Sequence, residues 1–135
     1  MNSHSFTVET GRTRGTFDIT PEVVAFVAGK GSGLVSVFVP HATAGIAIIE
    51  TGAGSDADLI DAVDTILPRR DDRYRHRHGA EGHGADHVLP AFVSPSVTIP
   101  VEDGRVVLGT WQSVLLVDPN ADNPRRTVRL DFIAG

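Results

Sequence analysis

The sequence predicts an α+β domain built mostly of antiparallel strands, with two or three helices. Three observations carry that prediction. Short runs of strand-forming residues alternate apolar with polar along much of the chain, two segments repeat apolar residues at helical period, and turn-forming residues separate these runs at short intervals. At 135 residues, 41% hydrophobic and 21% charged, the chain is long enough for one buried core and too short for two, so residues 1–135 read as one domain.

The elements follow in order. The runs 5-SFTVET-10 and 15-GTFDIT-20 flank a Gly/Arg turn and predict a hairpin. A first helix follows, with Thr20 as its N-cap, Pro21 in its first turn, Glu22 complementing the dipole and Gly29 as its stop. The apolar runs 34-LVSVFVP-40 and 42-ATAGIAII-49 predict buried strands. From Ser55 to Leu67 the spacing of Leu59, Ile60, Val63, Ile66 and Leu67 predicts a second helix. Ser55 and Asp58 stand at capping-box spacing, and Pro68 ends the segment. Residues 69–87 are too polar and glycine-bearing for core and predict a loop. Four further strands are expected at 96–101, 105–109, 110–118 and 127–133, separated by the turn 102-EDG-104 and the loop 119-PNADNPR-125.

Composition excludes several classes of function. Seventeen Asp and Glu against twelve Lys and Arg give a net charge of −5, the wrong sign for a general nucleic-acid surface. The chain has no cysteine, so thiolate metal sites, cysteine nucleophiles and disulfides are excluded. No apolar run approaches the roughly 20 residues of a membrane span, and the N-terminus lacks the pattern of a secretory signal. A cytoplasmic protein without membrane or nucleic-acid partners is the expectation.

Candidate chemistry falls in four places. His41 sits between two apolar strands; in a regular extended chain His41 and Glu50 would face opposite ways, so they share a site only if a bulge or a strand end intervenes. The stretch 73-RYRHRHGAEGHGADH-87 holds His76, His78, His83 and His87. Loop histidines are commonly solvated, yet neutral imidazole ligates Zn, Ni, Cu and Fe and also serves as acid or base near neutral pH. Asp86 beside His87 could add a carboxylate. In 109-GTWQS-113 alternation lets one of Trp111 and Gln112 pack while the other meets a ligand, and Trp111 is expected to be the buried one. The arginine pair in 123-NPRR-126 suits phosphate or carboxylate, or a surface salt bridge.

These residues also carry a resemblance. The order His41-Ala-Thr-Ala, Glu50, Tyr74-x-His76, Asp86-His87, 100-PVEDGR-105, 109-GTWQ-112 and 124-PRR-126 resembles the YjbQ family, whose members are commonly labelled secondary thiamine-phosphate synthase. The likeness runs from about Thr7 to Ile133. It implies a two-sheet, mostly antiparallel β core assembled as a homotrimer, with sites near subunit boundaries. It further implies that His41, His76 and His87 form one constellation able to hold a divalent metal such as zinc, whereas His4, His78 and His83 match nothing in the pattern and are expected to be solvated.

The implied reaction joins a pyrimidine methyl diphosphate to a thiazole phosphate with loss of pyrophosphate. In that reading His41, His76, His87 and Glu50 are catalytic, and Thr43, Thr110, Gln112, Arg125 and Arg126 bind the phosphorylated substrate. Metal-assisted hydrolysis of a small phosphorylated metabolite and a non-enzymatic trimer that binds a metabolite or metal are the alternatives. Two departures bear on fine geometry: 49-IETGAGSD-56 keeps Glu50 without the family's N-E-N-x-D-P, and Pro90 interrupts the segment after His87.

Overall fold

The computed structural model describes residues 2–76 and 79–135; the expectation for His78 lies outside them. The chain forms β1 (Asn2–Glu9), β2 (Gly15–Asp18), α1 (Thr20–Val27), β3 (Gly33–Phe38), β4 (Gly45–Ile49), α2 (Ser55–Ile66), α3 (His83–Val88), β5 (Ser96–Glu102), β6 (Arg105–Val106), β7 (Ser113–Asp118) and β8 (Arg125–Ala134). Among the described residues every strand pairing is antiparallel. One sheet has the order β1-β8-β3-β5-β6 and the other β2-β7-β4.

The core lies between the sheets. Val35, Val37, Ile99, Val128, Leu130 and Phe132 project inward from the larger sheet and meet Ile46, Val114 and Leu116 from the smaller one, with Val23, Phe26 and Val27 of α1 closing the side. Strand alternation explains the choice: in β8 the residues Arg126, Val128, Leu130 and Phe132 are buried, and every intervening residue from Arg125 to Ile133 but the half-buried Asp131 is exposed. β7 lies between two partners and is buried on both faces, which is why 114-VLLV-117 reads as a continuous apolar run. Each fully buried Val or Leu contributes about 1.5–3 kcal/mol through its removal from water.

Five expectations are corrected. The first two strands form no hairpin: β1 pairs with β8 and β2 with β7, in different sheets. Each strand instead turns its apolar residues, Phe6 and Val8 of β1 and Phe17 of β2, against the core from its own sheet. Thr20 is not the N-cap of α1; Ile19 is, and the Thr20 hydroxyl accepts from the backbone N–H of Val114 at 2.8 Å. The capping box at Ser55 does not form, because Gly54, with φ of 105°, takes the cap position and Ser55 is already helical. Residues 69–87 are not all loop, since α3 begins at His83 and buries Gly84, Ala85 and Asp86.

Trp111 is the fifth. It sits in a turn before β7, 73% exposed, because the strand starts at Ser113, where pairing with Ile49 begins. The turn at 102–104 forms as expected, with Asp103 and Gly104 both at positive φ (50° and 77°), the conformation that two-residue hairpin loops favour.

Candidate functional site

A second, smaller apolar cluster builds the site. Val63 of α2 and Leu67, the residue that caps its C-terminus, pack against Ala85 and Leu89, with Tyr74 and Val93 alongside. This cluster seats α3 on α2. Asp86, 1% exposed, fixes it from the other side: its carboxylate accepts from the Arg69 guanidinium and, at 2.9 Å, from Asn120 Nδ2. Arg69 also donates to the Glu81 carbonyl at 3.0 Å, and the Gly82 N–H donates to Asp71 at 2.9 Å. Asp86 therefore does not join the histidines; consecutive helix positions point about 100° apart, and Asp86 faces inward.

His83 and His87 stand four residues apart in α3, so their rings share a face. Their Nε2 atoms are 3.1 Å apart. His76 arrives from the segment after Tyr74, whose hydroxyl donates to the Pro68 carbonyl at 2.6 Å. Gly84 makes that approach possible, since a Cβ there would lie 2.6 Å from the His76 carbonyl oxygen and from Tyr74 Cβ. The ring centroids of His76 and His87 are 4.1 Å apart, and those of His76 and His83 4.7 Å. One nitrogen from each ring lies within 4.8 Å of the others.

Three neutral imidazoles are a chemically apt donor set for a divalent transition metal. Two nitrogens each about 2.05 Å from a tetrahedral ion are roughly 3.3 Å apart, close to the 3.1 Å seen between His83 and His87. His76 would supply the third nitrogen of the triad. Asp122 Oδ2 lies 3.7 Å from His83 Nδ1, on the side where carboxylates orient ligating histidines.

The rest of the expected constellation divides. His41 stands outside the triad and accepts, through Nε2, a 2.9 Å hydrogen bond from the Thr127 backbone N–H. It reaches the same groove as His87, a depression of about 520 Å³ lined also by Phe38, Pro40, Pro90 and Pro95. Burial first, then the charge of Arg126, lowers the His41 pKa from 6.5, with Asp118 opposing. Arg126 is 1% exposed; its guanidinium grips Asp118 through two bonds of 2.8 and 2.9 Å and donates to Thr43 Oγ1 at 2.9 Å. As substrate contacts, Arg126 and Thr43 are thereby corrected to internal scaffolding. Arg125 is on the surface against Glu9.

Glu50, Thr110 and Gln112 lie elsewhere in this chain. Ile49 pairs with Ser113, whereas Gly45 pairs with Val117, so Glu50 and Gln112 flank one end of the β4–β7 ladder and Thr43 the other, with β4 between them spanning roughly 14 Å. Gln112 Oε1 accepts from the Gly109 N–H at 2.8 Å. His83, expected to be solvated, is instead half-buried against two other imidazoles. The sequence held a usable signal: H-x-x-x-H is a one-face helical spacing, hidden by the glycines around it.

A family model described as "UPF0047 protein YjbQ-like" matches residues 4–135. The chain belongs to the YjbQ family. Among curated YjbQ-family relatives, the UPF0047 protein of Mycobacterium tuberculosis strain H37Rv is 62% identical over 135 residues, covering 100% of both chains. The Bacillus subtilis UPF0047 protein YugU is 36% identical over 122 residues, with 87% of this chain and 88% of that one covered. A solved structure of a hypothetical protein from Aeropyrum pernix K1 superposes with a TM-score of 0.88 at 30% identity, covering 100% of each chain. A YjbQ/UPF0047 protein from Clostridium acetobutylicum, described as uncharacterized, gives 0.84 at 28% identity over 96% of this chain and 99% of that one. The two-sheet α+β architecture is thus the YjbQ fold.

Proposed function

We propose that the chain is a metal-dependent enzyme acting on a small phosphorylated metabolite, with His76, His83 and His87 as the metal ligands. The observation that carries this reading is the convergence of three imidazole nitrogens within 4.8 Å. A bound divalent ion would supply a Lewis acid for charge developing on phosphoryl oxygens. The chain's own part is to hold the rings: Asp86, Arg69 and Asn120 anchor α3, and Gly84 admits His76. The groove beside His87 leaves one flank of the triad open to a substrate.

For the reaction itself, the resemblance favours formation of thiamine phosphate with release of pyrophosphate. Hydrolysis of a phosphorylated metabolite is the second reading. It gains support from Arg126, which is engaged internally, and from Arg125, which is paired with Glu9 on the surface, so neither is a ready clamp for diphosphate. A homotrimeric assembly belongs to the same proposal.

The test has two stages. Equilibrium dialysis against zinc or cobalt should give about one ion per chain, with retention lost in His83→Ala and unchanged in His4→Ala; equal retention in both variants refutes the site. Metal-loaded protein is then given the pyrimidine diphosphate with and without the thiazole phosphate. Pyrophosphate that appears only with both substrates supports the synthase. Phosphate released without the acceptor supports hydrolysis, and tight binding without turnover leaves a binding protein.

A further inference from the structure

His41 has a defined tautomer, and the backbone defines it. The β3–β8 register pairs Phe38 with Arg129 and would next set Pro40 opposite Thr127, but β3 has ended and the chain has turned away. The Thr127 N–H donates instead to His41 Nε2 at 2.9 Å. A peptide N–H can only donate, so Nε2 supplies its lone pair and the proton of the neutral ring resides on Nδ1. A ring in that state has no free lone pair for a metal. Its one outward capability is to donate from Nδ1.

The surroundings say to what. His41 and His87 line one groove, whose other walls are Phe38, Pro40, Pro90 and Pro95. The buried Arg126 guanidinium acts on the His41 charge with its ion-pair partner Asp118 opposing it, while the prolines offer flat apolar surface. We propose that His41 is a ligand-binding residue rather than a metal ligand: its Nδ1–H donates to an oxyanion, such as a phosphoryl oxygen, of a molecule that reaches from His41 toward His87 and rests its apolar body on the prolines. This rests on the metal-dependent reading for the role of His87, and it is separable from it.

The first experiment follows the imidazole ¹⁵N resonances during titration with zinc. His76, His83 and His87 shift as ligands, while His41 keeps the Nδ1–H pattern and the Thr127 amide keeps its hydrogen-bonded shift. A coordination shift at His41 with loss of the Thr127 bond overturns the proposal. If no imidazole shifts, the metal reading alone fails. The second experiment measures inorganic phosphate binding with and without zinc in wild type, His41→Gln and His41→Asn, after thermal melts confirm that each variant is folded. Gln places an acceptor near the Nε2 position but no donor near Nδ1, and Asn does the reverse. His41→Gln should weaken phosphate binding about 10-fold or more while His41→Asn recovers part of it, as expected for loss and return of one hydrogen bond to an anion. Unchanged affinity in His41→Gln, or no phosphate binding by the wild type in either condition, overturns it.

Discussion

His41 and Arg126 show how single residues couple the sheets to the site. The folded-state pKa of His41 is lowered from 6.5, by burial first and then by Arg126, so the unfolded chain takes up this proton more readily than the folded one. The stability His41 contributes is therefore complete above pH about 6.5 and is lost as pH falls from there through its lowered folded value. The melting temperature of the wild type should drop more steeply than that of His41→Gln between pH of about 7.5 and 5; parallel curves would contradict the assignment. Arg126 presents a larger effect. Arg126→Ala would strand the carboxylate of Asp118, which is 0% exposed, at a cost of about 3–5 kcal/mol, measurable by urea denaturation. A loss under 1 kcal/mol would mean that water reaches Asp118.

At the scale of elements, α3 is a six-residue helix, far too short to persist alone. It exists because Ala85 and Leu89 complete the cluster with Val63 and Leu67, and because Asp86 is held by Arg69 and Asn120. Pro90 fits this arrangement: α3 stops at Val88, and the proline enters the start of a separate 3₁₀ turn over Leu89–Ala91, where its missing N–H costs nothing. Gly84→Ala should therefore act locally, costing about 1–3 kcal/mol by overpacking and abolishing metal retention by pushing the His76 segment off the helix. Full metal retention in a folded Gly84→Ala protein would argue against the close approach of these segments.

For the whole molecule, the larger sheet is covered on one face only. Its inner face forms the core, while its outer face exposes Leu34, paired directly with Ile133 across β3 and β8, and Phe38 nearby. Apolar cross-strand pairs left in water are candidates for burial against another subunit. Light scattering should give a mass near three times the 14.4 kDa chain. A combined Leu34→Asp and Ile133→Asp variant should run as a monomer with its core intact, whereas a variant that keeps the wild-type mass places the interface elsewhere. Among the described residues no helix is long and apolar enough to cross a membrane.

By itself the sequence determined what rests on local pattern: the α+β class, α2 with its stop at Pro68, the buried run of β7, the turn at Asp103–Gly104 and the candidacy of His76 and His87. These follow from periodicity, fixed φ preferences and residue chemistry, all encoded within a few neighbouring positions. Only the tertiary structure decided which strands pair, because β1 and β8 lie more than a hundred residues apart and alternation specifies a face without naming a partner. It also placed His83 with His76 and His87, turned Asp86 and Arg126 inward, and gave His41 to Thr127. In each case the outcome depended on a contact with a distant segment whose hydrogen bonds or apolar surface had to be satisfied, and that demand is invisible one window at a time.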